Sequence, residues 1–167
     1  MDENSYAEVL VPRKTKGWVI PAMIGTGILA FGSVILALSM QWGWVAIIAV
    51  ITAIFVGWRY IREEYEYIFI TDELNVTTIY SENTRRKGPK VSMSNVEIME
   101  RFNEGMLEQI RRNPNAVLED YSSHMTGAPV YYVKYSDAGK THYLLLEPTD
   151  RLLNAMWRSA PGKVKRA

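Results

Sequence analysis

The stretch ALSMQWGWVAII, Ala37–Ile48, decides how this chain is read. It lies between two apolar runs and holds their polar punctuation, Ser39, Gln41 and Gly43, beside Trp42 and Trp44. Outward from it, no Asp, Glu, Lys or Arg occurs between Lys16 and Arg59. As one helix the neutral segment Gly17–Trp58 would extend about 63 Å, at roughly 1.5 Å per residue. A bilayer core is about 30 Å thick and takes roughly 20 apolar residues per crossing. Two crossings fit that length, and the expected spans are Trp18–Ser39 and Trp44–Tyr60, joined by a tight turn at Gly43. Trp42 and Trp44 then sit at one boundary, and Trp18, Trp58 and Tyr60 at the other, where aromatic rings concentrate. A helical hairpin buried in a water-soluble core would show a charged stripe, and neither run has one.

Orientation follows the lysines and arginines near the span ends. Arg13, Lys14 and Lys16 precede the first span, and Arg59 and Arg62 follow the second. The expectation is a two-span, multi-pass protein of the cell membrane with both termini cytoplasmic. Within the spans, small residues recur every four positions, at Ala22, Thr26 and Ala30 and at Ala49, Ala53 and Gly57. Such ridges let helices approach closely in lipid, by packing within the hairpin or in a homo-oligomer.

Composition bounds the rest. The chain has 167 residues, a net charge of +1 and no cysteine. Disulfide frameworks, thiol catalysis and thiolate metal sites are therefore excluded. The balanced charge, with no basic stripe interleaved with aromatic residues, argues against nucleic acid.

After Glu63 the apolar period changes to two. In EEYEYIFIT, Tyr65, Tyr67 and Phe69 fall on one face and Glu66, Ile68 and Ile70 on the other, the alternation of a strand. A turn at Asp72–Glu73, a strand LNVTTIYS, a turn at Gly88–Pro89, a third strand and the alternating NVEIMERF continue an antiparallel meander. NEGMLEQIRRNPNA carries helix start and stop signals: Asn103 as cap, Arg111 and Arg112 late, Pro114 beyond. Met106, Leu107 and Ile110 would face inward. PVYYVKYSD and KTHYLLLEP form a hairpin around Asp137, Ala138 and Gly139. Finally, Leu152, Leu153, Met156, Trp157 and Ala160 make an apolar stripe at helical spacing, capped by Thr149 or Asp150 and stopped by Pro161–Gly162.

The predicted organisation is thus a cytoplasmic tail at 1–17, the transmembrane hairpin at 18–60, a β-rich body at 61–162 and a basic tail at 163–167. A sheet with one apolar face needs a cover, and the terminal helix can plug a curled antiparallel barrel, as pleckstrin-homology-like folds do. The residues EYEYIFITDELNVTTIYSENTRRKGPKVSMSNVEIM (Glu64–Met99), LEDYSS (Leu118–Ser123) and YLLLEPTDRLLNAMW (Tyr143–Trp157) follow the hairpin. With it they resemble small bacterial membrane proteins that carry a bacterial PH-like domain. That resemblance implies an α+β membrane protein: a two-helix transmembrane hairpin, then an antiparallel PH-like barrel or sheet capped by a C-terminal amphipathic helix. It transfers no activity to any residue.

No catalytic motif stands out. His142 lies in an expected strand and His124 in a polar loop, without the spacing of a zinc site. Ser122 and Ser123 neighbour His124 in sequence, which makes no triad. GTGILAFG, Gly25–Gly32, has no preceding strand and is rejected as a nucleotide loop. Glu119 and Asp120 would point to opposite faces of a strand. The candidate contact site is Arg85, Arg86, Lys87 and Lys90, a basic strand–turn–strand suited to anionic lipid headgroups or to a membrane-protein partner. No enzyme activity, metal or cofactor is expected. The function expected is a non-enzymatic binding or scaffold module. Its alternative is an accessory subunit of a membrane complex recognised through its transmembrane helices.

Overall fold

The structure is a computed structural model that describes residues 6–14, 17–39, 44, 47, 48, 50–52, 54, 55, 63–80 and 84–166. Strands β1 (Tyr6–Pro12), β2 (Glu63–Ile70), β3 (Glu73–Tyr80) and β4 (Thr84–Ser92) form one antiparallel sheet in that order. A second sheet runs β5 (Val96–Arg101), β7 (Tyr131–Asp137), β8 (Lys140–Leu146), β6 (Ala116–Asp120). Its β5–β7 and β7–β8 pairs are antiparallel and its β6–β8 pair is parallel. Helices α1 (Val19–Ser39), α2 (Glu104–Arg112) and α3 (Asp150–Ser159) are delimited among the described residues.

Alternation decides which residues meet between the sheets. Tyr65, Tyr67 and Phe69 of β2 and Leu74 and Val76 of β3 are buried on the inner face of the first sheet. Met99, Val133, Leu144 and Leu146 of the second sheet join the same apolar cluster. Ala7, Val9 and Val11 of β1 join it too. The segment read as a cytoplasmic tail therefore holds a strand, paired with β2 from Tyr6↔Ile70 to Pro12↔Glu64. Exposure and burial alternate strictly along Tyr6–Pro12, with Ala7, Val9 and Val11 turned inward.

The helices close the core. The Thr149 hydroxyl accepts from the Leu152 N–H and caps α3. That helix buries Leu152, Leu153, Ala155 and Met156 and packs on β1 and β2. Asn103 caps α2 by accepting from the Met106 N–H at 3.1 Å, and Ile110 is the residue it buries. The β7–β8 turn places Ala138 and Gly139 at φ 46° and 76°, the left-handed pair that a two-residue hairpin needs.

The transmembrane hairpin is corrected. Among the described residues no helix, α1 included, is long and apolar enough to cross a membrane. Of the expected second span only residues 44, 47, 48, 50–52, 54 and 55 are described. The α+β membrane-protein class, the two-span multi-pass location and the cytoplasmic termini deduced from it lose their support. Within α1, Val19 and Ser33 are buried, while Phe31 and Leu38 are 71% and 85% exposed.

Candidate functional site

The basic segment Arg85–Lys90 is not a strand–turn–strand. It lies inside a single strand, β4, with an irregularity opposite β3. Asn75 pairs with Lys90 and Thr77 with Lys87, so Gly88 and Pro89 together oppose Val76. That is a β-bulge, one extra residue on one strand. Both residues suit it. Pro89 has no N–H to offer a ladder. At Gly88 a Cβ would lie 2.9 Å from the Val76 carbonyl oxygen and 3.1 Å from the Tyr121 hydroxyl, so only glycine permits the approach.

The bulge decides which cation faces inward. Counting back from buried Val91, strict alternation would turn Lys87 in and Arg86 out. The extra residue reverses this. Arg86 shares a cross-strand row with Thr78 and Tyr65 on the inner face, while Lys87 shares one with Thr77 and Glu66 on the outer face. The four cations therefore separate. Arg85 reaches buried Glu66 at 3.4 Å, and Lys90 pairs with Glu73 at 2.8 Å. The side chains of Arg86 and Lys87 have no ion-pair or hydrogen-bond partner among the described residues.

Arg86 opens into a cavity of about 330 Å³ bordered by Tyr65, Thr78, Tyr80, Lys87, Gly88, Glu119, Asp120 and Tyr121. Its walls come from both sheets: β2, β3 and β4 on one side, the end of β6 on the other. Tyr121 holds the two together. Its ring meets Tyr65 edge-on at 5.4 Å between centroids, its carbonyl accepts from the Tyr67 hydroxyl, and its N–H donates to Leu145 O at 3.0 Å. Burial pushes the Tyr65 hydroxyl up to about 12. The Tyr121 hydroxyl is raised too, first by burial and then by the Glu119 carboxylate, with Arg86 opposing.

The acids, expected to diverge, both border this cleft. Glu119 Oε1 lies 3.0 Å from His142 Nδ1, and the His142 ring stacks on Tyr135 at 5.0 Å. Asp120 Oδ1 accepts from the Ser122 N–H and hydroxyl at 2.9 and 2.7 Å, and Oδ2 lies 3.6 Å from His124 Nε2. The Ser123 hydroxyl donates to Glu147 at 2.8 Å. The serines and histidines thus hold the cleft's acidic wall in place. No group of three His, Cys, Asp or Glu able to hold a metal occurs among the described residues.

The ridge residues of the neutral segment are not part of this site. Ala22 is exposed, Thr26 and Ala30 half-buried. The Thr26 hydroxyl donates back to the Ala22 and Met23 carbonyls at 2.9 Å. Ala49, Ala53 and Gly57 lie outside the described residues. Sequence reasoning found Arg86 but neither its orientation nor its companions. Tyr65 reads in the sequence as a strand residue, and nothing there singles out Tyr80 or Tyr121.

The family model described as "Bacterial PH-like domain (DUF6106)" matches residues 3–166. The chain belongs to this bacterial PH-like domain family. The match begins before β1, in keeping with a PH-like domain whose first strand lies in the N-terminal segment. Comparison with curated proteins and with solved structures returns no match.

Proposed function

We propose that this PH-like domain is a non-catalytic binding or scaffold module whose ligand seat is the cleft between β4 and the end of β6. The observation that supports the reading most is Arg86. It is an exposed guanidinium turned to the inner face by a bulge, bordering a cavity, and without a partner among the described residues. A guanidinium offers a planar fork of donors suited to a carboxylate or phosphate. The cleft's serines, histidines and acids are engaged with one another in a supporting role, which favours recognition over chemistry. Of the basic cluster expected to meet anionic groups, Arg86 is the member we assign to the ligand. Lys87 borders the same opening, while Arg85 and Lys90 serve neighbouring glutamates.

Inorganic phosphate titrated into the full chain, followed by amide chemical shifts, tests this reading. Saturable shifts are expected at Thr78, Arg86, Gly88 and Tyr121, and the Arg86→Ala variant should lose them. Shifts centred elsewhere, or unchanged by that variant, overturn it. The alternative of an accessory subunit recognised through transmembrane helices has lost its premise with the hairpin.

A further inference from the structure

The cleft carries charges of both signs that do not neutralise each other. Arg86 borders it from β4, and Glu119 and Asp120 border it from β6. All three line one cavity, yet no ion pair joins Arg86 to either acid among the described residues. The partners of the acids are histidines and a serine instead, and the second oxygen of Glu119, Oε2, makes no hydrogen bond to a described residue. A cavity built only for an anion would not keep two carboxylates on its wall, because like charges repel the ligand they face.

The tyrosines lie where the signs meet. The Tyr121 hydroxyl feels both the Glu119 carboxylate and the Arg86 guanidinium, and all three residues line the cavity. Tyr65 stands at right angles to Tyr121, and Asp120 is among the charges acting on its hydroxyl. Aromatic faces beside carboxylates attract ammonium groups. Gly88 lines the cavity without a side chain, where the backbone approaches Val76 and Tyr121 closely.

We propose that the cleft takes a small dipolar ligand, its anionic group against Arg86 and its ammonium group against Glu119 and Asp120 beside the Tyr65 and Tyr121 rings. A cavity of about 330 Å³ suits a molecule of this kind, at the small end of ligand sites. Free aminoalkyl phosphates and the headgroups of zwitterionic lipids share this chemistry. The inference rests on the proposed function, since it names the ligand class for the same cleft.

Calorimetric titration of the full chain with three soluble probes tests it: phosphoethanolamine, inorganic phosphate and ethanolamine. Phosphoethanolamine should bind at least about tenfold more tightly than either half, because the second charge pair is made without a second loss of translational freedom. Glu119→Gln keeps the side chain's size and its ability to accept from His142. It should bring phosphoethanolamine down to the phosphate level and leave phosphate binding equal or tighter. Arg86→Met, at an exposed strand position, should weaken both phosphate-bearing probes. If phosphate binds as well as phosphoethanolamine, or Glu119→Gln leaves their ratio unchanged, the dipolar ligand is refuted while the anion-binding cleft stands. If no probe binds, both readings fall. Vesicles of phosphatidylethanolamine in phosphatidylcholine separate the two sources: competition with the soluble probe assigns a lipid headgroup, and its absence a free metabolite.

Discussion

Replacing Gly88 with alanine tests whether the bulge is held by close packing. The new Cβ would stand 2.9 Å from the Val76 carbonyl oxygen, 3.1 Å from the Tyr121 hydroxyl and 3.4 Å from the ring carbon that bears it. Tyr121 can give way, but the carbonyl belongs to β3, which is paired on both sides. Overpacking of this sort costs about 1–3 kcal/mol. Alanine recovers about 0.4–1 kcal/mol by restricting the unfolded chain, which leaves a net loss of roughly 1–2 kcal/mol. For a chain of this length that lowers the melting temperature by about 2–8 °C. Thermal and urea unfolding of the two proteins would measure it. Tyr121→Phe removes the hydroxyl contact and leaves the carbonyl contact, so in that background Gly88→Ala should cost less, though still something. An alanine variant as stable as the parent would refute the reasoning, and with it the claim that the glycine sets which cation turns inward.

Three further outcomes are expected. Met156→Ala removes a fully buried side chain of α3 and should cost about 2–5 kcal/mol, measured by chemical denaturation. Arg85→Ala strands the Glu66 carboxylate, whose side chain is only 5% exposed. It should cost about 1–3 kcal/mol, against roughly 0–1 kcal/mol for Lys90→Ala in its exposed pair. Equal losses would show that Glu66 does not depend on Arg85. At alkaline pH the buried tyrosines decide stability. Tyr65 is held protonated up to about 12, and Tyr67, Tyr132 and Tyr135 are raised in the same direction, all chiefly by burial. The unfolded chain releases these protons near 10 while the folded chain keeps them, so stability falls as pH rises from about 10 to 12. Tyrosinate absorbance should appear together with unfolding, and ionisation near 10 with the fold intact would contradict the burial.

Much of the local structure is written in short-range pattern. The period-two run around Tyr65, Tyr67 and Phe69 names both strand and buried face, and Asn103 and Thr149 mark the helix starts where they occur. The absence of charge between Lys16 and Arg59 points to two crossings, whereas no helix among the described residues is long and apolar enough to cross a membrane. β1 escaped notice for a related reason. Seven residues of alternation carry little weight beside a long apolar run, and their partner, β2, comes more than fifty positions later.

The site shows where local pattern stops. From the sequence alone came the presence of Arg86 in a basic segment, the acidic pair Glu119–Asp120 and the strand tendency around each. Only the tertiary structure decided that Arg86 rather than Lys87 faces inward, since one unpaired residue at Gly88 inverts every side chain beyond it. Only the parallel pairing of β6 with β8, set by contacts distant in sequence, brought the two acids and Tyr121 across from that guanidinium. Side-chain type is local information. Face and neighbourhood depend on register and on sheet packing, which no short window of residues contains.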